Sequence, residues 1–575
     1  MSNNRRKATP EQVTRVEHVI DTLLETLSLP AGEYFEALWH FLTVSEDLPR
    51  LMILSKSKGA TLLSESDEVF RLNSILSDHK YALRYIMDVI NRRLPKARKL
   101  KKRIESAEVP YTTAVRGLEI ARDYRTAVGL FTFYRSGEAL CTTDQSGDNL
   151  WFSFPGHSEA YQALDYSIAV EPRGNVITAL FAWLTYPDHA PPVVKQISDS
   201  VAADKDRLVY EFDEYAAAEL AIILPNPTPW NLVPLAWVFP WGSRAEAMSL
   251  LNSLELRCLY HALAINFGAR RLNVTGGGVD NLCLRIKKGE LVQEIKRLSE
   301  ARLNRIVEFV HAMSYGKDTR TPDPALQPLI PCGDELLVPC MHVLSSKGGR
   351  NLLSLHARVD EKSFNSQSAA FEEAMILEVA SLASRRFPLV RTQFHFGPTG
   401  EIDIVIVDEK SETILIGELR WMIPPGDARE TVNRIKVTRE KVRQIEKKVR
   451  GVKKNILAFL RHLRWKGNSS GIWEVIGVVI SENFVFRSSD TNIPVLPPAV
   501  LRVGLNAGMN LRQLHLWLKS DKWLPKKGLH FDIEATEVRF NQHTLGQNGV
   551  TKPRPLEYMT GFLPTSAKEF MEQSS

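Results

Sequence analysis

Cysteine is scarce and scattered in this chain, with 5 among 575 residues. They stand at Cys141, Cys258, Cys283, Cys332 and Cys340, and no two form a Cys-x-x-Cys pair. This spacing argues against a disulfide scaffold, and Cys332, Cys340 and the nearby His342 fit no closed four-ligand zinc site. Reduced, unpaired thiols in a cytoplasmic protein are expected. Long apolar runs are missing too. A membrane-spanning helix needs about 18 or more apolar residues, and the most apolar stretch, 220–241, is broken by Pro225, Pro227, Pro229, Pro234 and Pro240. The first residues, Met1 to Lys7, carry Arg5, Arg6 and Lys7 with no apolar core of a secretory signal. Neither sign of charge dominates: net +6 and a pI near 8.9 are mild, so basic character is local. Gly276-Gly277-Gly278 lacks the Gly-Lys-Ser/Thr that would make it a phosphate loop, and a flexible turn is expected.

What the chain does have is concentrated between 400 and 421. Gly400-Glu401-Ile402-Asp403-Ile404-Val405-Ile406-Val407-Asp408 and Thr413-Ile414-Leu415-Ile416-Gly417-Glu418-Leu419-Arg420-Trp421 read as two apolar strands. Glu409 to Glu412 supply the turn. If Asp408 pairs with Thr413, antiparallel counting places Val405 opposite Ile416 and Asp403 opposite Glu418. Opposed residues have Cβ atoms about 4.5–5.5 Å apart, where two like charges repel. Side chains alternate along a strand, so Arg420 shares the face of Asp403 and Glu418. Two facing carboxylates with a cation beside them suit a divalent-metal site better than they suit packing. The plainer alternative is a buried hairpin with carboxylates at a frayed end.

Asp403 on one strand, followed by Glu418-Leu419-Arg420 on the next, resembles the PD-(D/E)XK superfamily of restriction-endonuclease-like nucleases. The resemblance covers about 365–485. The expected order is a helix at 368–386, a strand at 390–396, the hairpin, a helix at 428–452 and a strand at 473–480. It implies a mixed sheet with a helix on each face, α/β/α. It also implies Asp403, Glu418 and the Leu419 carbonyl as metal ligands, with a carboxylate from the first helix. Glu372 is the candidate, because it lies on one helical stripe with Met375, Ile376, Val379 and Ala383. Arg420 stands where the family usually has Lys.

Hard oxygen ligands favour Mg2+ or Mn2+. Arginine can offset developing charge but stays protonated and cannot serve as a base. A lysine displaced onto the following helix is the other source of a cation, and Lys441 is the candidate, the alternative being a solvated flank lysine. That helix is strongly basic, and Arg439, Lys441, Arg443, Gln444, Lys447 and Lys448 are candidates for contact with a phosphate backbone. Charge runs are also commonly just solvated faces.

At 575 residues several domains are expected. The fold class expected is multidomain α/β. It comprises a helical region at 1–125, a mixed α+β region at 126–325, the nuclease-like domain at 326–487 and an appendage at 488–575. Strand-like segments are expected at 127–155, 176–182 and 208–212, helices at 245–267 and 291–315, and a linker at 323–331. A second basic run, from Arg92 to Arg103, ends the helical region. The function expected is a metal-dependent nuclease acting on nucleic acid, DNA foremost, with a bacterial defence or restriction role implied by the superfamily's habits. Its amino-terminal regions would select targets or recruit protein partners. The alternative is a nuclease fold that has lost turnover and serves as a nucleic-acid or protein-binding adaptor.

Overall fold

Strand pairing ties distant parts of this chain together. In the computed structural model, which describes residues 5–56, 65–95, 104–155, 158–169, 176–204, 207–224, 232–397, 399–467, 471–487, 491–555 and 557–574, Arg6–Lys7 pairs with Leu140–Thr143. Leu140–Thr143 pairs in turn with Asn149–Ser153, which lies parallel to His543–Thr551. Asp532–Phe540 completes that five-stranded sheet. The chain therefore divides into two units that interleave in sequence. One comprises Met1–Thr14, Val128–Val170 and Asn365–Ser575, and the other Arg15–Ala127 and Glu171–Phe364. This differs from cuts at 125, 325 and 487, which assume that each unit is one continuous segment. The class is mixed α/β and multidomain. No helix among the described residues is long and apolar enough to cross a membrane.

Several local expectations are corrected. Residues 128–135 belong to the helix Glu108–Arg135. Ala127, Leu130 and Phe131 are buried, and their offsets of three and four are helical rather than alternating. Val176–Thr185 is likewise a helix, burying Ile177, Leu180, Phe181 and Leu184 at offsets of three, four and seven. An all-apolar run hides its own period. Residues 291–315 hold two helices, Lys288–Leu298 and Leu303–Ala312. The 323–331 segment is no linker, since Asp323, Ala325, Leu326, Gln327 and Leu329 are buried. Gln327 Nε2 donates to the carbonyls of Ala312 and Lys317, both at 2.8 Å. Gly276, Gly277 and Gly278 form a left-handed turn with φ of 70°, 61° and 76°. Of the second basic run, Arg92 and Arg93 end the helix Glu65–Arg93, and 96–103 lie outside the described residues. Pro225, Pro227 and Pro229 lie outside them as well. All five cysteines are buried and free.

The first unit holds a second five-stranded sheet, built from β1 (Leu389–Phe396), β2 (Gly400–Asp408), β3 (Thr413–Trp421), β4 (Glu474–Glu482) and β5 (Val495–Leu496), in that spatial order. β2 runs antiparallel to its neighbours β1 and β3, and β3, β4 and β5 run parallel. The leading helix Glu361–Ser384 buries Met375, Ile376, Val379 and Ala383. The helix Ala428–Lys454 starts at Asp427, whose side chain accepts the Glu430 N–H at 2.8 Å. It buries Val432, Ile435, Thr438, Val442, Ile445 and Val452. Gly477 on β4 admits it closely, since a Cβ there would stand 2.8 Å from Val449 Cγ2. Gly477 pairs with Ile416, which is opposite Val405, so this basic helix covers the face that carries Asp403 and Glu418.

The 488–575 segment is integral rather than appended. Helices Pro498–Asn506, Leu511–Lys519 and Leu563–Ser574 bury side chains in the same core as the sheet. Leu511 N–H donates to Asp408 Oδ2 at 3.0 Å.

Candidate active site

The hairpin register runs as counted from Asp408↔Thr413 to Ile404↔Gly417 and then stops, one pair short of Asp403 and Glu418. Ile402 instead stays paired with Phe394 on β1, so β2 parts from β3 at this point. The next β3 amide aimed at β2 is that of Leu419, and it donates to Asp403 Oδ2 at 2.7 Å. A side-chain carboxylate thus takes the place of a backbone carbonyl. The N–H and C=O of one antiparallel strand residue point to the same neighbour, so the Leu419 carbonyl faces the Asp403 side as well. Like charges explain the parting: opposed carboxylates repel, and each acid has turned to a different partner.

Glu418 is 1% exposed, and both its oxygens are engaged. Lys441 Nζ lies 3.1 Å from Oε2, and Lys448 Nζ meets Oε1 more closely still. These two lysines are seven residues apart on the basic helix and therefore share one face. Arg420 Nη1 lies 2.7 Å from Glu372 Oε1. That contact is an ion pair by distance without hydrogen-bond alignment, since Glu372 Oε1 and Arg420 Nε are both buried without an aligned hydrogen-bond partner. Burial pushes the Glu372 carboxyl up from its ordinary value, while Arg420, Lys441 and the Trp421 amide pull it back down. Asp403 adds repulsion. Glu372, Asp403 and Glu418 and three cations thus lie toward this end of the sheet, in separate contacts.

The remaining candidates on the basic helix fall into two groups. Arg439 is held within the unit: it pairs with Glu138, and its guanidinium lies 5.1 Å from the Phe486 ring centroid. Arg443, Gln444 and Lys447 are exposed. At about 100° per residue, Arg443 and Lys447 share a stripe with Lys436, Arg450 and Lys454, all exposed. That stripe lies on the far side of the helix from Lys441 and Lys448. Of the six proposed nucleic-acid contacts, two therefore sit at the carboxylates, one is tied to Glu138, and Arg443 and Lys447 face away from the site. Gln444 lies between the two sets.

Sequence reasoning missed three features: the role of Lys448, the Arg439–Glu138 pair and the Asp403–Leu419 bond. Only the first left a trace, in the seven-residue spacing from Lys441.

The donor chemistry suits a hard cation, because Mg2+ keeps several waters and needs only one or two carboxylates. Among the described residues, however, no three His, Cys, Asp or Glu side chains converge as a metal-holding group. The carboxylate oxygens stand at one sheet end, each acid already held by a cation or an N–H of the chain. The chain matches no protein-family model, no curated protein and no solved structure.

Proposed function

We propose that the end of the sheet carrying Asp403 and Glu418 is the active site of a metal-dependent phosphodiesterase of the PD-(D/E)XK type, acting on nucleic acid, with DNA the first substrate to test. The observation that carries this reading is the source of positive charge. Arg420 stands where the strand lysine belongs and lies against Glu372, while Lys441 and Lys448 reach Glu418 from the helix. A missing strand lysine is thereby supplied from the layer above.

In this reading Asp403 and Glu418 would hold Mg2+ or Mn2+, with Glu372 and the Leu419 carbonyl as the further candidate ligands. When bound there, such an ion would supply Lewis acidity toward a phosphate and a water of lowered pKa. The chain's own groups do the rest. The Leu419 amide fixes the rotamer of Asp403. Lys441 and Lys448 orient the attacking water and offset the charge that grows on the phosphoryl oxygens, and Arg420 adds to that field as a permanent cation. The test is incubation with supercoiled, linear and single-stranded DNA and with RNA, in Mg2+ and in Mn2+. Cleavage by the parent that Asp403→Ala abolishes supports the reading.

One observation favours a second reading. The three acids are matched in number by three cations, so the site is neutral as a whole even though two of the cations lie on Glu418. A nuclease fold kept for binding would look the same, and it would bind nucleic acid without cleaving it in either metal.

A further inference from the structure

Glu418 has more counter-charge than it needs. One buried carboxylate faces two ammonium groups, one on each oxygen, while the bond described for Asp403 is to a backbone amide. A purely structural acid is satisfied by one lysine and a neutral donor. The second lysine adds a surplus positive charge at a group that is 1% exposed, and opposite charges attract strongly where water is excluded. That surplus makes sense if another anion arrives.

We propose that Lys441 and Lys448 are a counter-ion lock on Glu418, opened by a nucleic-acid phosphate, so that the divalent ion enters together with the substrate. This rests on the metal-phosphodiesterase reading. A divalent cation approaching Glu418 meets two ammonium groups first, and Coulomb repulsion opposes its entry. A phosphodiester oxygen attracts those same ammonium groups. Lysine suits the exchange, because it is a hydrated point charge on a flexible stem that leaves one anion for another without a fixed fork geometry. The two heads lie at the boundary of the core, with side chains 21% and 13% exposed, so a phosphate need not unfold anything to meet them. Metal and nucleic acid then promote each other's binding by the same factor, as linkage requires. Before substrate arrives, Lys441 and Lys448 act on the metal only through Glu418.

The test uses the full chain and Mn2+, with free Mn2+ followed by electron paramagnetic resonance. The lock predicts that Lys441→Met/Lys448→Met binds Mn2+ at least tenfold more tightly than the parent in the absence of nucleic acid. Adding Glu418→Gln to that variant abolishes the gain. A labelled DNA duplex provides the second readout. Its affinity for the parent rises at least tenfold with Mn2+, and the rise shrinks severalfold in the lysine variant. If the double variant does not fold, Lys448→Met alone is read the same way, with Lys441 still countering Glu418. Parent and variant binding Mn2+ equally tightly would overturn the lock while leaving the metal site intact. No Mn2+ binding by any variant, with or without DNA, would overturn the metal reading and the lock with it.

Discussion

Each unit buries an ionic network, and the two are built on different principles. In the second unit, Arg257 Nε donates to Glu294 Oε2 at 2.5 Å, both side chains being 4% exposed. Arg257 Nη1 donates to the Tyr210 hydroxyl at 3.0 Å. His261 Nε2 lies 2.8 Å from the Asn281 carbonyl, which can only accept, so that nitrogen carries the proton. Nδ1 is then the acceptor for the Tyr210 O–H at 2.6 Å. The chain of donors runs one way, with one acid to one cation. In the first unit two lysines share Glu418, while Glu372 and Arg420 leave buried atoms without aligned partners. A network with each acid matched to one bonded cation holds a fold together. One with two cations on a single acid and orphaned atoms is what the proposed exchange of partners requires.

The largest expected effect breaks the saturated network. Arg257→Met leaves Glu294 buried and unpaired and should destabilise the second unit by about 3–5 kcal/mol, read by urea denaturation. Lys448→Met leaves Glu418 its other lysine, so no buried charge is stranded and the loss should be smaller, on the order of 1 kcal/mol. Equal losses would erase the contrast between the two networks. Next in size is catalysis. Arg420→Ala should lower cleavage about a hundredfold if arginine stabilises the transition state, whereas Arg420→Lys should hold or raise it. Cleavage by Arg420→Ala at the parent rate would assign the whole of that role to Lys441 and Lys448.

Acid should separate the units further. Burial first, and the Arg257 charge second, push His261 down to about 3 from an ordinary 6.5. Burial likewise holds His342 at about 3, and His79 and His356 at about 4. These groups bind protons when unfolded but not when folded between those values. Their contribution is whole above about pH 6.5 and is lost as pH falls toward 3 to 4. Buried Glu46, raised to about 8, works in the opposite sense, its contribution fading as pH rises from 4.5 through 8. Hydrogen exchange at pH 6.5 and 5 should therefore show Tyr210, His261 and their neighbours loosening more than β2 to β4. The smallest effect concerns the outward basic stripe. Charge reversal at Arg443 and Lys447 should weaken nucleic-acid binding and flatten its salt dependence. Arg439→Ala should instead weaken the first unit by removing the partner of Glu138.

Strand alternation and helical spacing made the 365–485 segment legible. The register from Asp408↔Thr413 to Ile404↔Gly417, the turn and both flanking helices follow from local pattern. The end of the ladder does not. Whether two opposed carboxylates stay paired or part depends on what else reaches them, and Lys448 arrives from 30 residues away. Patterns without contrast misled. The apolar run at 176–182 is equally strand-like and helical until its neighbours are known, and 323–331 reads as a linker where a buried turn, with the Leu326 and Gln327 amides on the Asp323 carbonyl, packs into the core. The interleaving of units was hidden because Asn149–Ser153 pairs with His543–Thr551, a contact no local window contains.

The most direct measurement pairs cleavage with stability in Glu418→Gln. Initial rates are compared with the parent in Mg2+ and Mn2+, at a temperature where circular dichroism shows both folded. The account predicts a loss of at least about a hundredfold with a Tm within a few degrees of the parent. Cleavage at the parent rate, or no cleavage by the parent in either metal on any nucleic acid, would contradict it.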